Sequence, residues 1–319
     1  MSHVNDRIRL TTASDPVDIG LVTAIRSQLN SQLTAPATGA AYDRARRVVR
    51  QEPTVSFTTE AIKQALDLVG LQGLCFDADD AGTTHKEFRY LANRLEMCGT
   101  EGRADDDVHL AGVSQRGLVL LDQLQLSPDQ AATLSLTSHL LTNATGDAPL
   151  AQAYDQALAA AINLTQNPDA EKAFAFYGFT LLDAALAEVT SVSIQFNYEP
   201  LEKPREPNGT IWPSKARVGK YRQTIDVNLS DPSVLDSIVA SIGEPVTQAD
   251  TELQLVQIDP DGHWVDPASS AHIKIPIAGK VYVGSAYQAD GEGTSTSDIT
   301  IETASGAAPL LLQTGVALT

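Results

Sequence analysis

The residues that come nearest to a known metal-binding pattern are Asp259, Asp261 and Gly262, followed by His263. Carboxylates at alternate positions before a glycine open the calcium loop of EF-hand proteins, which continues through further oxygen ligands to a bidentate glutamate. Neither the later ligands nor that glutamate follows here. We therefore interpret this segment as a hairpin turn and not as a metal site.

Two acidic runs, Asp77 to Asp80 and Asp105 to Asp107, could hold a divalent cation only if they met in space, and solvated loops explain them better. None of the histidines lies at i, i+4 beside a helical glutamate, so the zinc-hydrolase motif is absent; they are His3, His85, His109, His139, His263 and His272. The sequence also lacks a G-x-S-x-G elbow, a G-x-G-x-x-G loop and a Walker-type phosphate loop. We predict no catalytic residue, no cofactor and no metal, and an enzyme is the least favoured class.

The two cysteines, Cys75 and Cys98, are too few for a disulfide scaffold and have no C-x-x-C spacing. Both are predicted to be reduced and buried, as small apolar residues usually are.

The formal net charge of -18, from 40 acidic and 22 basic residues, disfavours a tight nucleic-acid binder, because such binding needs clustered cations. No uninterrupted apolar run reaches membrane-spanning length, and Met1 to Arg7 lacks the apolar core of a secretory signal. The composition predicts a soluble protein made in the cytoplasm, without a membrane partner.

The elements that would position any site occur twice, about 165 residues apart. Val22 to Asn30 returns as Val189 to Asn197, with Val, Thr, Gln and Asn in register. The later matches keep the same order: Val55 to Gly70 with Ile225 to Gly243, His109 to Leu120 with His272 to Val283, Ala132 to Leu136 with Ser297 to Ile301, and Pro149-Leu150 with Pro309-Leu310. These weak matches in one order support each other and predict a duplicated fold, with domains 1-165 and 166-319.

Alternation of polar and apolar residues predicts strands over most of each half. Examples are Arg7 to Thr12, Ser191 to Tyr198 and Thr251 to Ile258. Gly20 to Leu33 fits helical spacing by itself, but its partner in the second half favours a strand. Ala151 to Leu164 could be an extra helix, although its partner Leu311 to Leu318 indicates a final strand.

One short helix is predicted in each half. The first opens at Thr58 to Ala61, with a threonine N-cap and an acidic first turn, and closes at Gly70. The second runs from Ser230 to Gly243 with an early proline.

Long turn-rich segments, Thr34 to Ala41 and Pro200 to Ser214, follow the first matched strand of each half. Such loops are usually functional or disordered, and in an assembling protein they would be arms that contact a neighbouring subunit. Basic clusters lie near both arms, and on so acidic a chain we expect them to pair with acidic surface of the next subunit; they are Arg44, Arg46, Arg47 and Arg50, and Lys215, Arg217, Lys220 and Arg222.

This layout, with Ser191 to Asn197 and Pro149-Leu150 among its fragments, resembles the major tail tube proteins of long-tailed bacteriophages and related tail-like particles. The alanine-rich Ala151 to Leu164 and the wide Gly99 to Asp107 loop depart from the family pattern. The resemblance implies tandem β-sandwich or barrel-like domains, each with one short helix and a long arm loop, whose inner strands join neighbours into a ring. A duplicated subunit would give a trimeric ring with pseudo-sixfold symmetry.

The resemblance further implies a virion protein of the tail, whose stacked rings form a tube for DNA delivery. Its partners would be itself, terminator and baseplate or tip proteins, and DNA that passes without specific binding. Two alternatives stay open: another virion protein, such as a tail terminator or capsid decoration protein, and a bacterial surface-binding β-sandwich. The second would need an export signal and exposed aromatic residues, and only Trp212 and Trp264 are tryptophans.

Overall fold

The computed structural model describes residues 6–12, 16–34, 47–92, 110–142, 146–154, 172–203, 210–231, 242–289, 295–303 and 310–318. The fold is mainly β, with a large curled antiparallel sheet, which confirms the predicted sandwich or barrel-like class. The first half contains β1 (Asp6–Thr12), β2 (Pro16–Gln28), β3 (Ser31–Thr34), β4 (Arg47–Gln51), β5 (Thr54–Thr59), α1 (Ile62–Val69), β6 (Leu74–Asp77), β7 (His85–Ala92), β8 (Leu110–Ser114), β9 (Arg116–Ser127), β10 (Gln130–Leu140) and β11 (Ala151–Tyr154). The second half contains β12 (Ala173–Leu181), β13 (Ala184–Ala185), β14 (Val189–Glu202), β15 (Arg217–Leu229), β16 (Pro245–Val246), β17 (Glu252–Ile258), β18 (His272–Pro276), β19 (Gly279–Ala289), β20 (Ser295–Thr303) and β21 (Gln313–Val316).

The two halves share one strand-pairing scheme. In the first half, one sheet has the order β2-β5-β10-β9-β6 and the other the order β1-β7-β8-β11. In the second half, the corresponding orders are β14-β15-β20-β19-β16 and β12-β17-β18-β21. The pairing therefore repeats strand for strand, as the sequence matches predict.

The repeat extends to an irregular feature of the first matched strand. Pairing shifts by one residue at Thr23 in β2 and at Thr190 in β14. The hydroxyl of Thr23 donates to the carbonyl of Thr58, and that of Thr190 donates to the carbonyl of Asn228 in the equivalent strand, at 3.4 and 3.1 Å. A bulge bends its strand and is a specific feature of a fold, not a defect. The shared Val-Thr of the sequence match therefore marks a bulge.

The residue before each bulge also has the same unusual backbone. Leu21 and Glu188 have φ values of 47° and 58°, a region that non-glycine residues seldom adopt. The carbonyl of Leu21 accepts from the N–H of Glu60 at 3.1 Å, and that of Glu188 accepts from the N–H of Ser230 at 2.9 Å. In each half, the carbonyl of this residue therefore forms a hydrogen bond with the residue that follows β5 or β15.

The apolar core lies between the two sheets of each half. Phe88 of β7 stacks against Phe57 and Phe76, with ring centroids 6.2 and 6.1 Å apart, and all three side chains are buried. In the second half, aliphatic and aromatic side chains of β12, β17 and β18 fill the same space, and they include Phe174, Phe179, Leu253, Leu255, Ile273 and Ile275. One core cluster includes residues of both halves.

The predicted first helix forms, but its start was placed too early. Thr58 and Thr59 belong to β5, the helix begins at Ile62, and no acidic residue lies in its first turn. The Thr59 hydroxyl donates to the carbonyl of Gly20 at 2.7 Å and accepts from the N–H of Ala61 at 3.0 Å, so it joins the strand end to β2 and does not cap the helix. Gly70 ends the helix as predicted, with φ of 67°. Of the second predicted helix, residues 232–241 lie outside the described residues.

Three details of the predicted repeat are corrected. Ala151–Tyr154 is a strand that pairs with β8 as Gln313–Val316 pairs with β18, so the extra helix is wrong for these four residues and the halves agree here. The equivalent of Gly243 is Gly73, since both have φ of 85°. Gly73 lies against Val119 of β9, and Gly243 donates to the carbonyl of Val281, the equivalent residue of β19. The sequence match pairs Leu134 with Ile299, but the structural equivalent of Ile299 is Leu136. Leu136 lies opposite Phe57 of β5, and Ile299 lies opposite the equivalent Val227 of β15. Period-2 patterns alone do not separate registers that differ by two residues. The proposed boundary after residue 165 lies outside the described residues and stays a prediction.

Candidate assembly interface

The first sheets of the two halves join into one eight-stranded antiparallel sheet, which we call the central sheet. Its order is β2-β5-β10-β9-β14-β15-β20-β19, and the join is made by β9 and β14. Leu126 lies opposite Val192 and Leu124 opposite Ile194. All four side chains are at most 1% exposed. The junction between the halves is therefore a buried pairing of strands and not a loose linker contact.

Polar side chains cover the other face of the central sheet, which we call the polar face. The Ser56 and Thr137 hydroxyls lie 3.0 Å apart, and Thr137 donates to Asp122 at 2.6 Å. In the second half, Thr300 donates to Asp226 at 2.8 Å. Similar bonds join Thr58 with Ser135, and Asn228 with Ser191. The face is thus made largely of hydroxyl, amide and carboxylate groups tied to one another.

One such bond crosses the junction of the two halves. The side-chain amide of Gln123 in β9 donates to the hydroxyl of Ser193 in β14 at 2.8 Å. Because Gln123 lies opposite Gln195 in the strand register, the polar face runs across the junction without a break. The two halves therefore present one continuous polar surface.

The charged groups of the polar face are carboxylates in its middle and both carboxylates and cations toward its ends. Asp122 keeps contact with solvent, yet desolvation by the surrounding strands raises its pKa, against the opposing effect of the Thr137 hydroxyl. At the far end of the sheet, Arg222 forms a 2.7 Å ion pair with Glu302, and Lys280 lies opposite Glu302 in register. Arg26 of β2 lies opposite Ser56 and is an exposed cation near the other end of the face. Asp122 and Asp226 lie between these cations, so the middle of the described face has little attraction for a phosphate backbone.

The outer strands of the central sheet are equivalent to the two strands that meet at its middle. β2 of the first half is equivalent to β14, and β19 of the second half is equivalent to β9. Among the described residues, residues 24–28 of β2 pair only with β5, whereas Val22 also pairs with Asp6 of β1. Residues 281–289 of β19 pair only with β20. The two edge strands of the central sheet, β19 and β2, are therefore equivalent to β9 and β14, which pair with each other.

Apolar side chains near these edges are more exposed than their equivalents at the junction. Val192 is fully buried, whereas the equivalent Ile25 is half-buried. Leu121 of β9 is fully buried, whereas the equivalent Val283 of β19 is half-buried, and Tyr282 is 42% exposed. Exposed strand edges are aggregation hazards that proteins usually cover or pair.

No protein-family model matches this chain, and a comparison with curated proteins finds no match.

The residues singled out for metal chemistry have structural roles where they are described. The Asp259 carboxylate accepts from the N–H groups of Asp261 and His263 at 3.0 and 2.8 Å, and the Asp259 N–H donates to the His263 carbonyl, which confirms the hairpin turn. Asp77 pairs with Arg116 at 2.8 Å. The described part of the chain has no group of three or more His, Cys, Asp or Glu side chains that could hold a metal ion. Asp105 to Asp107 lie outside it.

His272 is a buried packing residue at the start of β18. Its ring is fully buried, Nδ1 accepts from the N–H of Gln257 at 3.0 Å, and Nε2 lies 2.8 Å from the carbonyl of Asp266. This arrangement requires the proton on Nε2, which donates to that carbonyl. His109, the matching residue, lies outside the described residues.

The predicted burial of Cys75 is wrong. Its thiol is free and its side chain is exposed, because the strand alternates and the adjacent Phe76 takes the core side of β6. Cys98 lies outside the described residues. No helix in the described ranges is long and apolar enough to span a membrane.

The second predicted arm contacts the first half of the same chain, which sequence reasoning missed. The Ile211 carbonyl accepts from the Gln51 N–H at 2.8 Å, and the Trp212 indole donates to the Gln51 side chain at 3.2 Å. Lys203 pairs with Glu52 at 3.2 Å, and its carbonyl accepts from Arg50 at 2.8 Å. Two predicted intersubunit cations also pair within the chain, Arg50 with Glu52 and Arg222 with Glu302. The contacts of Lys203, Ile211 and Trp212 join the two halves, which are covalently linked, whereas these two ion pairs each form within one half.

Proposed function

We propose that this chain is the subunit of a closed ring of three copies, and that such rings stack into the tail tube of a long-tailed bacteriophage or a related tail-like particle. The observation that carries the proposal is the β9–β14 junction, together with the equivalent edges of β19 and β2, along which residues 24–28 of β2 and 281–289 of β19 have no second strand partner among the described residues. If β19 of one copy pairs with β2 of the next, every junction in the ring is of one kind. Three copies then contribute six equivalent units.

Head-to-tail contact of this kind joins two different surfaces of the subunit. Such an interface forms a ring if the rotation closes and an open filament if it does not. Closure gives both edges a strand partner, and it places Ile25 and Val283 in the environment of the buried Val192 and Leu121. Both side chains are already half-buried, so closure would add only part of the about 1.5–3 kcal/mol that full burial of an exposed side chain contributes. Ring closure is therefore favoured by apolar burial as well as by strand pairing.

The polar face of the central sheet is the surface that we assign to the lumen. Its apolar opposite packs on the second sheets of the two halves, so only the polar face is available to line a channel. The middle of this face presents hydroxyl, amide and carboxylate groups, such as those of Thr58, Gln125 and Asp226, and not the clustered cations that bind a DNA backbone. A duplex could then pass without specific binding, since non-specific affinity depends on phosphate neutralisation.

Stacking of rings is supported by the exposed apolar surface of the hairpin formed by β3 and β4. Leu33 is 54% exposed, and Val48 and Val49 are each 39% exposed. Leu33 and Val48 are paired and share one face of the hairpin, whereas Val49 lies on the other face. Exposed apolar surface is typical of contact sites. Terminator and baseplate or tip proteins would cover the ends of the stack. A tail terminator or capsid decoration protein would share the ring chemistry but would form one ring or none.

Negative-stain electron microscopy of the purified protein at increasing concentration tests this proposal. Stacked rings with threefold symmetry and an open centre are the expected result. Single rings that never stack would favour a terminator-like role instead. A monomer that stays monodisperse at every concentration would contradict assembly by the chain alone and favour a surface-binding module.

A further inference from the structure

The face of β12 and β17 that points away from the core carries an exposed aromatic pair. Trp264 is 53% exposed, and its ring lies against that of Tyr177 of β12, with centroids 5.8 Å apart and planes inclined at 61°. Tyr177 is half-buried and packs against a small apolar cluster on this face, which consists of Ala175, Val256 and Leu318. The two rings, which we call the Trp264 pair, are therefore held on one side and open to solvent on the other.

A hairpin that follows β17 fixes the position of Trp264. Ile258 lies directly opposite Trp264. The backbone hydrogen bonds on either side of these two residues run from the Asp259 N–H to the His263 carbonyl and from the Val265 N–H to the Gln257 carbonyl, at 2.8 and 2.9 Å. Residues that face each other between such bonds have closely spaced side chains, and Ile258 packs on the same cluster as Tyr177. The exposed indole is thus placed by its neighbours, and a ligand would not have to order it.

The hairpin that carries Trp264 is rich in carboxylates. Residues 257–266 include three aspartates and neither lysine nor arginine. The carboxylates of Asp259 and Asp266 accept backbone N–H bonds, whereas that of the exposed Asp261 has no hydrogen-bond or ion-pair partner among the described residues. Lys172, directly before β12, is the cation of the adjoining strand end. Three carboxylates against one cation leave a surface that attracts positive charge.

We infer that the Trp264 pair binds a quaternary ammonium group of the kind that choline carries. The faces of indole and phenol rings are electron-rich and attract a cation that lies within about 6 Å of the ring centroid. Two rings inclined to each other can contact one such group from two sides, as in the aromatic cages that recognise methylated ammonium groups. The carboxylates of the hairpin favour the same charge. The inference does not depend on the proposed ring, because all of its residues belong to one copy of the chain.

Other occupants fit this surface less well. The carboxylates would repel an anion. A primary ammonium has three N–H donors that need acceptors, which an aromatic face lacks. A stable protein contact needs about 800 Å² on each partner, but beyond the Trp264 pair the face is polar, where Gln254 lies opposite Lys274 and Lys274 pairs with Glu252 at 3.6 Å. A quaternary ammonium has no N–H group to satisfy, and its methyl groups suit an aromatic surface.

Titration of the whole chain with choline chloride tests the inference. Binding is followed by tryptophan fluorescence and by saturation-transfer NMR of the choline methyl protons, and sodium chloride at the same ionic strength controls for screening. The matched ligand is dimethylbutanol, which has the shape of choline with carbon in place of the charged nitrogen. We expect saturable binding of choline, with a Kd on the order of millimolar, and at least tenfold weaker binding of the neutral alcohol.

Variants assign the binding to the Trp264 pair. Trp264→Leu should weaken choline binding more than tenfold, because leucine is apolar but has no ring, and Trp264→Phe should weaken it less. Asp261→Asn should weaken the binding of choline and leave that of dimethylbutanol unchanged, because only a charge is removed. Tyr282→Leu is the control for loss of an exposed aromatic residue: Tyr282 is 42% exposed on the polar face of the central sheet, and choline binding should not change. Circular dichroism should show the same β-rich fold in every variant.

Four results would overturn the inference. Equal binding of choline and dimethylbutanol would indicate apolar contact alone. Choline binding that survives Trp264→Leu in a folded variant would place the site elsewhere. The absence of saturable choline binding, or binding of glucose in its place, would show that the pair does not recognise a cation. None of these results decides whether the chain forms rings, which electron microscopy of the same samples tests separately.

Discussion

Val192 and Ile25 occupy the same position in the two halves, but only Val192 is fully buried. Val192 of β14 lies opposite Leu126 of β9 on one side and Val227 of β15 on the other. Ile25 of β2 lies opposite Phe57 of β5 and has no strand partner on its other side among the described residues. The difference in burial is what a missing neighbour would produce. It makes Ile25 the side chain that most directly reports ring closure.

Replacing Ile25 with Asp should abolish ring formation and leave the subunit folded. A carboxylate at the closed junction would be desolvated without a partner, which is strongly unfavourable, whereas in the free subunit it can reach water. We expect association to weaken by more than tenfold, a loss above about 1.4 kcal/mol, as measured by analytical ultracentrifugation. Val192→Asp is the matched control and should unfold the subunit. If Ile25→Asp still assembled like the unchanged protein, the β2 edge would not be the interface.

Gly117 and Gly279 should be equally intolerant of alanine. An added Cβ would lie 2.5 Å from the carbonyl oxygen of His139 or of Glu302, which are equivalent residues of β10 and β20. Neither backbone can move away without breaking strand pairing, so each substitution should cost about 1–3 kcal/mol in free energy of unfolding. Gly178→Ala is the control, because its Cβ would have no neighbour nearer than 3.9 Å. Urea denaturation measures all three, and a tolerated Gly279→Ala would contradict the structural equivalence of the two sites.

His139 should make the subunit less stable as the pH falls. Burial, with a smaller contribution from the charge of Lys203, lowers the pKa of His139 from 6.5 to about 3, and its Nδ1 has no hydrogen-bond partner among the described residues. Between these values the unfolded chain binds a proton that the folded chain does not. The free energy of unfolding should therefore decrease from pH 6.5 toward pH 3, by up to about 1.4 kcal/mol per pH unit from this group.

The measurement is the difference between the unchanged protein and His139→Gln in urea denaturation across this pH range. The two curves should converge at low pH, since the glutamine does not titrate. His263→Gln, at an exposed position, serves as the control for replacing a histidine with glutamine. Parallel curves for the unchanged protein and His139→Gln would show that His139 is not held neutral by the fold.

Lysines on the polar face should make the assembled ring retain DNA. Gln125 and Gln195 are exposed on this face, near the β9–β14 junction. In Gln125→Lys with Gln195→Lys, binding of a short linear duplex should appear at low salt and fall as salt rises. A covalently closed circle cannot thread a ring and should not be retained. Equal retention of circle and linear duplex in a filter or gel-shift assay would place the polar face on the outside.

The sequence could predict the strand-rich fold and the order of its repeat, because period-2 alternation and paired fragments such as Val22 to Asn30 survive in both halves. It did not distinguish Gly70 from Gly73 as the equivalent of Gly243, since only the backbone conformation separates them. The four residues from Ala151 are a strand because β8 offers an edge, a tertiary contact that outweighs the helix propensity of alanine. The arm contact was also missed, because nothing in Trp212 or Gln51 alone indicates that they meet. The polar face and the free edges became visible only once the register of eight strands was known.

A cryo-electron microscopy map of the assembled particle tests the central claim most directly. Gln123 lies opposite Gln195 at the junction within the chain, so Ser285 of β19 should lie opposite Gln28 of β2 in the next copy. The predicted result is a closed barrel of three copies in which β19 and β2 pair antiparallel in this register, with the polar face toward an open lumen. A particle held together by other surfaces, with the edges of β2 and β19 still unpaired, would contradict it.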